Sequence, residues 1–79
     1  MSRIFVKNLP SKLLEKDLLE HFKDVGPITD IRLLKERSTG RFRRLAIVGF
    51  VDESSARSAV ERYDRSYMGT SRLSVEMRL

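Results

Sequence analysis

Arg41-Phe42-Arg43-Arg44-Leu45-Ala46-Ile47-Val48-Gly49-Phe50 joins a basic segment directly to an apolar one, and the reading of this stretch decides the fold. Side chains along a strand alternate between two faces with period two. If Ala46, Val48 and Phe50 turn toward a core, Arg43, Leu45, Ile47 and Gly49 turn toward the opposite face. The first set is fit for close packing, whereas the second mixes a cation with aliphatic groups. Ser38-Thr39-Gly40 supplies the preceding turn, with Gly40 free to take a positive φ, and Phe42 leads the chain into the strand.

Upstream, Ile28 to Lys35 reads as a partner strand with Ile31 and Leu33 inward and Asp30, Arg32 and Leu34 outward. Before it, Leu14, Leu18, Phe22 and Val25 recur at helical spacing, with Lys16, Glu20 and Lys23 on the other side. This predicts an amphipathic helix of about three turns. No hydroxyl stands at the expected cap, while Gly26-Pro27 marks a clear stop. Ile4 and Val6 alternate with Arg3, Phe5 and Lys7 as a half-buried first strand ending at Asn8-Leu9-Pro10.

Downstream, Asp52 is a good helix N-cap, and Ala56, Ala59, Val60 and Tyr63 keep helical spacing on the inward side. Asp64 to Thr70 is a connection in which Tyr67 and Met68 read as packing residues. Leu73, Val75 and Met77 then alternate with Arg72, Ser74 and Glu76 in a last strand. The order βαββαβ predicts an α+β, ferredoxin-like sandwich, a four-stranded antiparallel sheet with two helices on one face.

The face away from the helices is then Arg3, Phe5, Lys7, Asp30, Arg32, Leu34, Arg43, Leu45, Ile47, Arg72, Ser74 and Glu76. It carries an excess of cations around an aliphatic and aromatic centre. The chain has a formal net charge of +5 and a pI near 10.1, and most of the excess sits at Lys35, Arg37, Arg41, Arg43 and Arg44 against Glu36. Cations for phosphates beside apolar surface for splayed bases suit single-stranded RNA. The candidate contacts are Arg3, Phe5, Lys7, Arg32, Arg41, Phe42, Arg43, Leu45, Ile47 and Arg72.

Ile4-Phe5-Val6-Lys7-Asn8-Leu9 resembles the hexamer ribonucleoprotein motif, and Arg43 to Phe50 resembles the octamer K/R-G-F/Y-G/A-F-V-x-F/Y of RNA recognition motif (RRM) domains. Arg43, Ala46, Val48 and Phe50 match the octamer; Arg44, Leu45 and Ile47 depart from it. The matches on the packing face support the scaffold, and the departures at Leu45 and Ile47 remove two aromatics on which such domains stack bases. The resemblance thus implies an RRM that binds single-stranded RNA weakly in isolation, with Phe5, Lys7 and Arg43 as the contacts most directly carried over. The opening residues, Ile28-Thr29-Asp30-Ile31, Ser66-Tyr67 and Thr70 to Glu76 resemble, more closely, the first RRM of a family whose members carry several such domains. That likeness implies a nucleolar factor acting on pre-ribosomal RNA in the nucleus.

With 79 residues the chain holds one domain, 1–79, expected to be the N-terminal domain of a longer multi-domain protein. The absence of cysteine and the single histidine leave no thiolate or multi-histidine metal site, and no cofactor is expected. No stretch is long and apolar enough for a membrane span, and a monomeric domain is expected. Catalysis has no candidate residues: there is no nucleophile beside a base, no carboxylate pair and no phosphate-cradling loop. Arg3 and Asn8 match the residue types of acyl-phosphate hydrolases with ferredoxin-like folds, but no glycine-rich loop accompanies them. The competing reading is a protein-binding module using Phe5, Leu34, Leu45 and Ile47 as an apolar patch.

Overall fold

The computed structural model describes residues 2–78; Met1 and Leu79, included in the predicted domain, lie outside the described residues. The elements are β1 (Ser2–Lys7), α1 (Glu15–Phe22), β2 (Ile28–Lys35), β3 (Phe42–Phe50), α2 (Glu53–Tyr63), β4 (Tyr67–Met68), β5 (Ser71–Arg72) and β6 (Ser74–Arg78). The four long strands form one antiparallel sheet in the order β2-β3-β1-β6, and β4 and β5 form a separate small ribbon. This is the ferredoxin-like βαββαβ sandwich with a hairpin added before the last strand.

Register explains the two-sided character of the sheet. Ile4 pairs with Val48 and Met77, and Val6 pairs with Ala46 and Val75. Ile31 and Leu33 extend these rows across β2. The same core holds Leu18 and Phe22 from α1 and Ala56 and Ala59 from α2, so both helices cover one face. Ile4, Val6, Ala46, Val48, Phe50 and both alanines of α2 are fully buried, each larger aliphatic or aromatic side chain contributing about 1.5–3 kcal/mol.

Asp52 caps α2 as predicted, its Oδ1 accepting from the Ser55 backbone N–H at 2.8 Å. The start of α1 differs from the sequence reading. Leu14 is the extended N-cap residue, with φ −106° and ψ 155°, and is 57% exposed, while Leu13 takes the buried position. The helical spacing of apolar residues extends one residue before the helix, to Leu14, where the backbone is extended. Asp17 supplies the missing polar partner by accepting from the Leu14 N–H at 2.9 Å. The helix is also shorter than expected, eight residues, and ends at Phe22 before Gly26-Pro27.

His21 lies half-buried between the Phe22 and Tyr63 rings, whose centroids are 5.1 and 4.7 Å away. Its Nε2 has no hydrogen-bond partner among the described residues, and desolvation holds its pKa below the ordinary histidine value. Tyr67, expected to pack, is instead 62% exposed because the β4–β5 ribbon projects it outward.

Candidate nucleic-acid interface

The open face is a grid read directly from strand register. One row runs Asp30, Gly49, Arg3, Arg78 from β2 to β6. The next runs Arg32, Ile47, Phe5, Glu76, and the third Leu34, Leu45, Lys7, Ser74. Phe5, Leu34, Leu45 and Ile47 are half-buried, so their exposed portions form a continuous apolar centre. Arg3, Lys7, Arg32 and Arg78 surround it.

Two of these cations are already paired. Arg3 Nη2 lies 3.5 Å from Asp30 Oδ2, and Lys7 Nζ lies 2.7 Å from Glu76 Oε1. The Arg3 pair crosses β3 over Gly49. A Cβ there would come within 2.1 Å of Asp30 Oδ1 and 2.6 Å of Thr29 Oγ1, so the glycine is what lets the carboxylate lie across the strand. Arg78 places its guanidinium 5.8 Å from the Phe5 ring centroid, within cation–π range.

Arg3, Phe5, Lys7, Arg32, Leu45 and Ile47 therefore come together as the sequence predicts. Four other candidates do not join them on the grid. Arg72 belongs to the β4–β5 ribbon, opposite Tyr67, rather than to the sheet. The chain leaves the ribbon at Leu73, whose N–H donates to the Ser66 carbonyl, and enters the sheet at Ser74. Arg78, absent from the predicted face, fills the corner position.

Phe42 has the same parity as Ala46 and packs half-buried against the core, not on the open face. Arg43 falls in a β-bulge: Leu34 pairs with Leu45 but Lys35 pairs with Phe42, leaving Arg43 and Arg44 without partners across the strand. Arg43 is exposed and shares a shallow depression with Glu36, Thr39, Arg41 and Phe42. Arg41 is likewise exposed, in a loop tightened by Glu36 N–H to Arg41 carbonyl at 2.7 Å and by Gly40 at φ +72°.

The bulge residue Arg44 has φ +62°, an uncommon conformation for a side-chain-bearing residue. It is held from two sides. The Leu9 N–H donates to the Arg44 carbonyl at 3.1 Å, while the Arg44 Nε–H donates back to the Leu9 carbonyl. Asn8, also at positive φ, donates from Nδ2 to the Arg72 carbonyl at 2.8 Å and joins the ribbon to this corner.

An α+β sandwich with one covered sheet face and one open, cationic and partly apolar face defines a sheet-surface binding domain. The RNA recognition motif family matches residues 4–74, and the chain belongs to that family. It is 39% identical over 77 residues to Multiple RNA-binding domain-containing protein 1 of Mycosarcoma maydis, covering 98% of this chain and 9% of that protein. The chain spans 8–10% of the length of the curated relatives it matches. Among solved structures, RNA Binding Protein PG1 superposes with a TM-score of 0.93 at 32% identity, over 100% of this chain and 95% of that one. A chain of the Sxl-lethal protein/RNA complex superposes with a TM-score of 0.86 at 27% identity, over 96% of this chain and 47% of that one.

Proposed function

We propose that this domain binds single-stranded RNA on its open sheet face, weakly when isolated, as one unit of a nucleolar factor that processes pre-ribosomal RNA. The observation that carries the RNA reading is Phe5 at the centre of the grid with Arg3, Lys7, Arg32 and Arg78 around it. A base stacks on Phe5, neighbouring bases rest against Leu45 and Ile47, and the cations take the phosphates. Arg41 and Arg43 extend the positive field from the β2–β3 loop. Stacking on an aromatic contributes about 1–3 kcal/mol per base, and one aromatic platform makes for modest affinity. Linkage to further domains raises it through effective concentration.

The pre-ribosomal assignment draws on the likeness to multi-RRM relatives, and crosslinking of the full-length protein in cells tests it by recovering pre-ribosomal RNA. For the domain itself, the test is titration with a short single-stranded RNA across a salt series. Binding weakens as salt rises, with log K falling by about 0.7 per log unit of salt for each phosphate contact, and Phe5→Ala weakens it roughly 5- to 150-fold. The aliphatic makeup of Leu34, Leu45 and Ile47 favours a second reading, a protein partner on the same face. Failure to bind any RNA, with salt-insensitive capture of a protein by this face, replaces the first reading with the second.

A further inference from the structure

One corner of the sheet lies outside the apolar centre and has its own construction. Arg3, Arg32 and Arg78 line a pocket of about 140 Å³ with Ile47, and one carboxylate, Asp30, enters it. Arg3, Arg32 and Arg78 come from β1, β2 and β6, three different strands that line one small concavity. Asp30 is brought among them because Gly49 leaves the space over β3 empty. At 3.5 Å from Arg3, with side chains 36% and 44% exposed, the pair is loose and partly hydrated. Pairs of this kind contribute little and are readily exchanged.

We propose that this corner is a subsite for a single backbone phosphodiester of RNA, and that Asp30 is the resident counter-anion which the phosphate replaces. The inference rests on the RNA-binding reading of the sheet. A carboxylate and a phosphodiester each carry one negative charge and accept hydrogen bonds from the same guanidinium fork. A phosphate entering the pocket meets Arg3, Arg32 and Arg78 together, whereas Asp30 in the free domain satisfies Arg3 at a single long contact. The exchange leaves one carboxylate to swing toward Thr29, whose Oγ1 already lies 3.0 Å from Asp30 Oδ1. Asp30 thus acts as a specificity element: it neutralises the corner against weak anions and yields to a chain anchored at Phe5 one row away.

The experiment measures binding of hexauridylate with hydroxyl ends to the wild-type domain, Asp30→Asn and Glu53→Gln, at several salt concentrations, with NMR observation of Phe5 and of the arginine side chains. Glu53 sits on α2, away from the open face, so its variant makes the same change in net charge elsewhere. Asp30→Asn is expected to tighten binding about two- to fivefold with the salt slope kept, because the same phosphate is contacted in both proteins. Glu53→Gln leaves both unchanged, and RNA moves the Nε–H signals of Arg3, Arg32 and Arg78 in the wild type. Equal tightening in both variants overturns the proposal, since the effect is then net charge alone. So does an Asp30→Asn affinity equal to wild type while RNA still shifts Phe5, an outcome that leaves the RNA reading standing. No binding and no shift at Phe5 removes both together. Two further arms test the source of the anion. A loss of affinity in Asp30→Asn confined to guanosine-containing RNA makes the carboxylate a base acceptor instead, and dependence of the Asp30 effect on a 5′-phosphate assigns the pocket to a terminal monoester; either result overturns the phosphodiester subsite.

Discussion

The two faces of β3 come from one stretch of chain yet answer to different constraints. Ala46, Val48 and Phe50 are fully buried beneath the helices, and their neighbours Leu45 and Ile47 are half-buried on the open side. On the first face every side chain must fit a closed volume, because interiors are packed as densely as organic crystals. On the second the side chains are only half-buried and the packing constraint is looser, so an aliphatic group can stand where the octamer pattern has an aromatic without disturbing the fold. The scaffold is therefore kept while the open face has fewer aromatic side chains than the octamer pattern.

The largest expected effect separates the faces by stability. Phe50→Ala removes a fully buried ring and costs about 3–5 kcal/mol, a large part of the roughly 5–15 kcal/mol that holds a domain together, whereas Ile47→Ala across the strand costs about 1 kcal/mol. Urea unfolding of the two variants measures the ratio, and equal losses would erase the distinction. The second separates them by binding. Ile47→Phe places a second aromatic beside Phe5, and RNA affinity measured by fluorescence anisotropy rises about 5- to 150-fold with little change in melting temperature.

The third effect lies at the bulge where the regular alternation ends. Arg44 holds a positive φ that costs a non-glycine residue about 1–2 kcal/mol, so Arg44→Gly is more stable than Arg44→Ala by about 1 kcal/mol, both having lost the side-chain bond to the Leu9 carbonyl and kept the backbone one. Chemical denaturation of the pair decides it. The smallest belongs to the helix layer. The folded-state pKa of His21 is lowered by desolvation, so the unfolded chain takes up the proton more readily. Stability is complete above the unfolded value of about 6.5 and declines as pH falls from there toward the folded value. Thermal melts at pH 7.5 and 5.5 show a fall in the wild type that is smaller in His21→Gln.

The same contrast explains what was legible in the sequence. Period-two alternation placed Ile4, Val6, Ala46, Val48 and Phe50 on the core face, and the open-face positions of β1, β2 and most of β3 followed by parity. Only the start of the last strand was misplaced, at Arg72, because Leu73, Val75 and Met77 keep their alternation across a change of pairing partner, and periodicity carries no information about which strand lies alongside. Gly69-Thr70 between two short pairs was the available signal for the ribbon. Phe42 shares its parity with Ala46, so the alternation itself pointed to the core. Ion pairing of Arg3 with Asp30 depends on register across two strand boundaries and on the missing Cβ of Gly49, neither of which is a local property of sequence.

The most direct test of the account compares side-chain methyls on the two faces of β3 during titration with single-stranded RNA. RNA binding on the open face moves the Leu45 and Ile47 methyl resonances together with the Phe5 ring signals, an effect that diminishes as salt is raised, while Ala46 and Val48 methyls hold their positions. Shifts confined to the helix layer, or none on the open face at low salt, would contradict it.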